Sequence, residues 1–344
     1  MFHVPQQYTV ESVTAGHPDK MCDQISDAIL DECLRQDPQS RVAVEVFGSH
    51  GLLVIGGEVT TKAIADYEAI ARHVYAGIGY PDQLRVIAHV AQQSPDIARG
   101  VDTGGAGDQG IMYGYATDET LELMPCGVVL AHALARGLEK LRRENKNFNW
   151  LRPDGKTQVT IRNNVVETVV VSCQHDKDVA LSEVREAIIK NLVRPIAGSV
   201  ENIYVNPAGE FIQGGFAADA GLTGRKIMVD TYGGLAPHGG GAFSGKDATK
   251  VDRSAAYACR AAAVWAVRND HAKKCLVSVA YAIGRAEPVM IQAVTEDGND
   301  ISKFIAKEFD FRPRAIIERF GLRQPIFQQT ATYGHFGKSN LPWE

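Results

Sequence analysis

In 344 residues there is no uncharged apolar run approaching the roughly twenty residues needed to span a bilayer. The opening stretch, MFHVPQQYTVES, also lacks a basic segment followed by an apolar one, so neither membrane insertion nor secretion is expected. A strong charge field is missing too: 36 basic and 41 acidic residues leave a net charge of -5. Nothing global therefore recruits nucleic acid, and any functional cations must be local. The six cysteines, Cys22, Cys33, Cys126, Cys173, Cys259 and Cys275, include no C-x-x-C pair and lie far apart in mostly apolar runs. That spacing predicts buried free thiols and a cytoplasmic setting, not zinc sites or disulfides. No internal repeat or low-complexity linker is legible. Hydrophobic residues, at 45%, are ample for cores, and the length suits two or three domains.

Three familiar site signatures are nearly present, and each fails on context. Gly240, Gly245 and Lys246 begin a P-loop pattern, but Asp247 stands where a hydroxyl should meet magnesium, and no apolar strand precedes the glycines. Gly105, Gly107 and Gly110 spell G-x-G-x-x-G, yet a polar run precedes them and the strand-like IMYGYA follows, the reverse of a dinucleotide fold. HGGG at 238–241 matches an esterase oxyanion signature, but no G-x-S-x-G supplies a nucleophile.

What the sequence does have is concentrated in residues 214–253, GGFAADAGLTGRKIMVDTYGGLAPHGGGAFSGKDATKVDR. Two glycine-rich loops there surround Arg225, Lys226, Lys246, Lys250, Arg253, Asp219, Asp247 and Asp252. Glycine lets backbone amides approach an anion, lysine and arginine neutralise phosphate oxygens, and spare carboxylates suit magnesium. The segment thus reads as a site for a polyphosphate with its metal ions. GHPDK at 16–20 places His17 and Asp19 at a helix N-terminus, where amides and dipole favour an anion, although a capping aspartate beside a loop histidine explains them equally well.

Helical spacing of Cys22, Ile25, Ile29, Leu30, Cys33 and Leu34 predicts a helix over 19–36, ended by Asp37-Pro38. Asp23, Asp27 and Asp31 fall on its other side and read as a solvated face. A hairpin at 41–47 and 52–59 and a helix over 62–76 are expected next. Further helices are expected at 125–144, 181–193, 250–269, 301–309 and 313–320, with strands at 157–162, 165–174, 202–205, 225–231, 275–283 and 288–295. Few spacings suit parallel crossovers. The fold class expected is therefore α+β: three modules of mixed, largely antiparallel sheet covered by helices.

GHPDK, GAGDQGIMYGYAT, GLTGRKIMVDTYGG and HGGGAFSGKD, in this order, closely resemble the S-adenosylmethionine synthetase (methionine adenosyltransferase) family, and the resemblance runs from ESVTAGHPDK to ATYGHFGKSNLPWE. It implies three similar domains, at 6–96, 107–211 and 213–344, with pseudo-threefold organisation and a mobile lid at 93–107. It implies a reaction in which methionine sulfur attacks C5' of ATP, and the displaced triphosphate is then cleaved to pyrophosphate and phosphate. Charge grows on the departing oxygen, so preorganised cations and donors there carry catalysis and no nucleophilic side chain is needed. By resemblance, His17 stands beside that oxygen as donor or cation. Lys156, Arg225, Lys226 and Lys246 hold the triphosphate, with Asp154 and Ala242 beside them, and Phe211 lies near adenine. Asp219 sits between ATP and methionine, and Glu58, Gln93, Asp108 and Lys250 belong to the methionine side. Asp19 and Asp252 match magnesium ligands, with two Mg2+ per site, and Glu45 matches a K+ ligand. The implied assembly is a homo-oligomer, a dimer of dimers with active sites between subunits.

The lid and the connection from 78–80 to it are shorter than the family pattern, and Glu210 replaces an expected basic residue before Phe211. Two other readings remain at this point: an ATP-dependent phosphotransferase, which would need a hydroxyl acceptor and a catalytic base that cannot be placed, and a non-catalytic regulatory relative.

Overall fold

The computed structural model describes residues 5–92 and 104–344. Its architecture is one plan used three times: strand, long helix, hairpin, second helix. The first unit comprises β1 (Gln7–Val13), α1 (Pro18–Gln36), β2 (Arg41–Ser49), β3 (Leu52–Thr60), α2 (Tyr67–Ile78) and β4 (Arg85–Ala91). The second comprises β5 (Gly110–Thr117), α3 (Cys126–Glu144), β6 (Leu151–Arg162), β7 (Val165–His175), α4 (Leu181–Ile188) and β8 (Asn202–Val205). In the third, the two-residue β9 (Gly221–Leu222) precedes α5 (Val251–Arg268), β10 (Lys274–Tyr281), β11 (Met290–Thr295), α6 (Ser302–Glu308) and α7 (Pro313–Phe320).

The first strand of each unit joins another unit's sheet. β1 pairs with β6, β5 with β10, and β9 with β2, all antiparallel, so the exchange closes in a circle. The resulting sheets run β1-β6-β7-β8, β11-β10-β5 and β4-β3-β2-β9. Among the described residues only β3–β4 and β7–β8 are parallel, and each pair is bridged by a crossover helix, α2 or α4. The largely antiparallel α+β class expected from the sequence is observed.

α1 forms where the periodicity places it. His17 caps it with Pro18 in the first turn, and Cys22, Ile25, Ile29 and Cys33 are fully buried. α5 is alanine-rich for a packing reason: it lies directly on β5, where a Cβ at Gly114 would sit 2.0 Å from the Cys259 carbonyl carbon. The tail folds back on α5, with Trp343 stacked on Tyr257 at 3.7 Å between ring centroids and Glu344 paired with Arg260. The six cysteines are free, and five are buried. Among the described residues no helix is long and apolar enough to cross a membrane.

Three sequence expectations are corrected. Asp23, Asp27 and Asp31 do not form a solvated face: they are almost wholly inaccessible, because segments from the last third of the chain cover that side of α1. Residues 225–231 are not a strand; a one-turn helix, Ile227–Asp230, curls there, closed by Asp230 N donating to Lys226 O. The helix expected from 62 starts at Tyr67, because Asp66 supplies the cap by accepting from Ala69 N. Phe211 itself lies in irregular chain that hydrogen-bonds back to His175 at the end of β7.

Candidate active site

The α1 N-terminus is set against β6. A Cβ on Gly16 would meet Pro153 at 2.4 Å, so only glycine permits this approach. His17 follows, 3% exposed, and its Nδ1 accepts from Asp19 N at 3.2 Å. Burial, with Lys226 and Lys156 nearby, pushes the imidazole down to about 3 against the pull of Asp19. The ring is therefore neutral, and with Nδ1 accepting, its proton resides on Nε2. Its 3.9 Å approach to the Asp19 carboxylate is accordingly no ion pair.

Asp19 is fully buried yet charged. Burial alone would raise its pKa, but the hydrogen bond from Lys226 Nζ at 2.6 Å and the Leu222 amide at 3.0 Å hold it below the ordinary value. Arg225 adds a contact at 3.2 Å from its half-exposed guanidinium. His17, Asp19, Arg225 and Lys226 thus converge, brought together by β9 docking on β2 beside α1.

A second cluster forms where the loop before α5 meets β2. Lys246 Nζ lies 2.7 Å from Asp252 Oδ2, and Asp252 in turn lies over Gly241, where a Cβ would stand 2.2 Å from the carboxylate carbon. Lys250 occupies the N-cap position of α5, and its ammonium contacts the buried Asp247 at 2.5 Å. Asp247 also accepts from Val42 N, which ties the loop to the edge of β2. Ala242 packs on Gly224, so the two glycine loops touch.

The glycines behave differently from the sequence reading. The Gly224 and Gly245 amides donate to Asp23 and Asp27, both at 2.8 Å, and so are committed to protein carboxylates, not open to an anion. Gly215 N likewise donates to Asp154, whose buried carboxyl is pushed up to about 6, the nearby amides and Lys156 opposing the rise. Lys156, on β6, is exposed, as are Asp219 and Glu210, and Phe211 is half-buried.

Other candidates stand apart. Glu45, exposed, and Glu58, half-buried, lie on the open face of the β4-β3-β2-β9 sheet, opposite Gly56 and Ala43 respectively. Ala43 also bridges to Lys246, so Glu58 and Lys246 flank the same β2 residue. Asp108 is exposed just before β5, its Oδ1 accepting from Gln109 N. Gln93 and most of the expected lid, 93–103, lie outside the described residues.

The sequence reading missed Lys20. It is fully buried between Asp23 at 2.9 Å and Asp230 at 2.5 Å, and these two carboxylates overcome its burial to keep it charged. A lysine beside an i, i+3 aspartate on the helix was the available signal.

The site thus sets cationic loops and carboxylates around a helix N-terminus within three interlocked sheets. Family models for S-adenosylmethionine synthetase match the chain in three pieces: the N-terminal domain over 6–95, the central domain over 103–211 and the C-terminal domain over 213–344. The chain belongs to this family. It is 50% identical to the S-adenosylmethionine synthase of Sorangium cellulosum, over 98% of this chain and 87% of that protein. It is 49% identical to that of Mesoplasma florum (98% and 96% covered) and 46% identical to that of Treponema denticola (98% and 95%).

Proposed function

We propose that the chain makes S-adenosylmethionine from ATP and L-methionine. The observation that carries the reading is the convergence of His17, Asp19, Arg225 and Lys226 at the α1 N-terminus. A lone pair on methionine sulfur forms the bond to C5', the C5'–oxygen bond breaks, and triphosphate leaves with its electrons. Water then cleaves the bound triphosphate to pyrophosphate and phosphate. The His17 Nε2 proton is donated toward the departing oxygen, where stabilisation is greatest in the transition state. Lys156, Arg225, Lys226 and Lys246 grip the triphosphate, with Asp154 fixing the strand and loop around it. Ala242 shapes the loop, and Phe211 meets the adenine. Asp219 sits between the substrates, and Asp108 lies on the methionine side. Glu58 takes the methionine ammonium, Lys250 its carboxylate, and Gln93 completes the pocket.

The donor set fits a hard divalent cation: Asp19 and Asp252 offer carboxylate oxygens. Among the described residues no three His, Cys, Asp or Glu side chains form a metal cage. That suits magnesium, which keeps water and takes substrate phosphate oxygens beside one or two carboxylates. Two Mg2+ held this way would neutralise charge on the triphosphate, and Glu45 is the proposed K+ ligand. Lys226 and Lys246 pair with these same two aspartates, which would hold the metal when bound, leaving the lysines for the phosphates.

A homodimer, itself paired into a tetramer, is proposed because Glu45 and Glu58 lie on an open sheet face that also exposes Phe47 and Ile87. Residues 6–96, 107–211 and 213–344 are proposed as its domains, with the lid at 93–107, and the cytoplasm as its location, supported by the free thiols. Mass spectrometry after incubation with ATP, L-methionine, Mg2+ and K+ tests the reaction. S-adenosylmethionine with pyrophosphate and phosphate is expected; ATP binding without sulfonium formation would overturn the reading.

A further inference from the structure

We propose that Asp23 and Asp27 are positioning residues for the triphosphate-binding cations: from one face of α1 they hang both cationic loops in fixed register. The inference rests on the reading of those lysines given above. Asp19, Asp23, Asp27 and Asp31 follow one another at four-residue intervals, steps of about 6 Å along one side of a helix. Each accepts a backbone amide from the far end of the chain: Leu222 at 3.0 Å, Gly224 at 2.8 Å, Gly245 at 2.8 Å, and Phe327 with Gln328 at 3.0 and 2.9 Å.

The second and third amides belong to the residues just before Arg225–Lys226 and just before Lys246. Lysine is a point charge on a flexible four-carbon stem, so where its ammonium can reach depends on where its backbone is fixed. Misplacement by about 1 Å can cost on the order of 10²-fold in rate. Close packing reinforces the register. Gly224 (φ 78°) touches Ala242, where a Cβ would lie 2.3 Å from the alanine methyl, and Gly245 (φ 80°) leaves only 1.9 Å between a Cβ and Val44 O. Thr223 Oγ1 adds bonds to Ser26 Oγ at 2.6 Å and Val46 N at 3.0 Å. The aspartates are themselves held, Asp23 by Lys20 and Asp27 by Arg253.

Asp31 supplies an internal control. It is the same residue on the same face, but its amides lead to no cation of the site. Asp23, unlike Asp31, also pairs with Lys20, so the two need not cost the same stability; among folded variants a purely structural ladder leaves tripolyphosphate affinity and kcat alike, whereas a positioning ladder separates them.

The test uses the full chain with Asp23→Ala and Asp31→Ala, assayed where both remain folded; Asp27 is kept because Arg253 pairs with it, whereas Lys20 keeps its pair with Asp230 when Asp23 is removed. Thermal unfolding, tripolyphosphate affinity by calorimetry, and kcat and methionine KM for sulfonium formation are measured. Both variants are expected to lose stability. Asp23→Ala alone is expected to lose about tenfold or more in tripolyphosphate affinity and in kcat, with methionine KM little changed. Asp23→Asn, which keeps an acceptor for the Gly224 amide, should recover much of the loss. Equal losses in the two alanine variants, or wild-type affinity and kcat in Asp23→Ala, would overturn the proposal. If Asp23→Ala does not fold, Thr223→Val, which frees the same loop from Ser26 and Val46, takes its place under the same criteria. A wild-type chain that binds tripolyphosphate but forms no sulfonium would sink the functional reading while leaving the affinity comparison decisive for the ladder.

Discussion

Asp27 and Arg253, 226 residues apart, form a fully buried two-pronged ion pair, with Nη1 2.6 Å from Oδ1 and Nη2 2.8 Å from Oδ2. The guanidinium also donates to the Tyr257 hydroxyl at 2.9 Å and lies 4.3 Å from the centre of the Phe327 ring. It links the first helix to the last third of the chain inside the core.

Removing one partner strands the other charge in the core. Asp27→Ala should therefore cost about 3–5 kcal/mol in urea unfolding, the scale of a broken buried pair. Replacing both residues by apolar ones, Asp27→Leu with Arg253→Met, should be less damaging than Asp27→Ala alone. A single variant within about 1 kcal/mol of wild type would contradict the desolvation argument.

His17→Asn should keep the helix, since asparagine caps as well as the imidazole does. It removes the Nε2 donor, so sulfonium formation should fall about 10²-fold or more, the scale of a lost transition-state donor. Melting temperature and product yield, measured on one preparation, check both halves. Wild-type turnover would remove His17 from the chemistry.

Lys250→Ala should weaken methionine binding and leave tripolyphosphate hydrolysis largely intact. It also leaves Asp247 buried without its ammonium. Burial raises the Asp247 pKa, but Lys250 and the Thr249 contacts more than compensate and keep it below the ordinary carboxylate value. A depressed pKa contributes stability above the unfolded value and loses it as pH falls through the folded one. The stability gap between wild type and variant should therefore be full at pH 7 and close in acid. Unchanged methionine affinity by calorimetry would place Lys250 outside the pocket.

Asp31 titrates the other way. Burial pushes its carboxyl up to about 6, partly opposed by the Gln328 and Phe327 amides. A raised pKa contributes stability that is complete below the unfolded value near 4 and lost as pH rises through about 6. Relative to Asp31→Asn, wild type should lose on the order of 1–3 kcal/mol between these limits, read from urea midpoints across pH 4–7. A flat difference would show that the folded-state pKa is unshifted.

Asp252→Ala should raise the Mg2+ concentration giving half-maximal rate and leave the fold intact, since the Asp252 carboxylate is partly exposed in the first turn of α5 with Lys246 as its partner. An unchanged Mg2+ titration would exclude Asp252 as a ligand.

Much of the frame was legible locally. The 3.6-residue rhythm of Cys22, Ile25, Ile29 and Cys33 marked α1, and alternating apolar residues marked β2, β3, β6 and β7. These signals come from residues a few positions apart, so short-range sequence holds them. The motif string was likewise sufficient for the family, because long, ordered motifs need no coordinates.

Other features depended on contacts between distant residues. β1 and β4 were not expected from the sequence, since QYTVESV and RVIAHVA become strands by pairing with β6 and β3. KIMVDT has strand-forming residues, yet it curls because Lys20 captures Asp230 and Asp19 captures Lys226. Sequence by itself determined the elements with strong local periodicity, the α+β class and the inventory of cations and carboxylates. Only the tertiary structure decided the circular exchange of first strands, the neutral state of His17 and the burial of the α1 aspartates. Each of these is set by partners more than a hundred residues away, and hydrogen bonding and desolvation depend on proximity in space, which residue spacing does not encode.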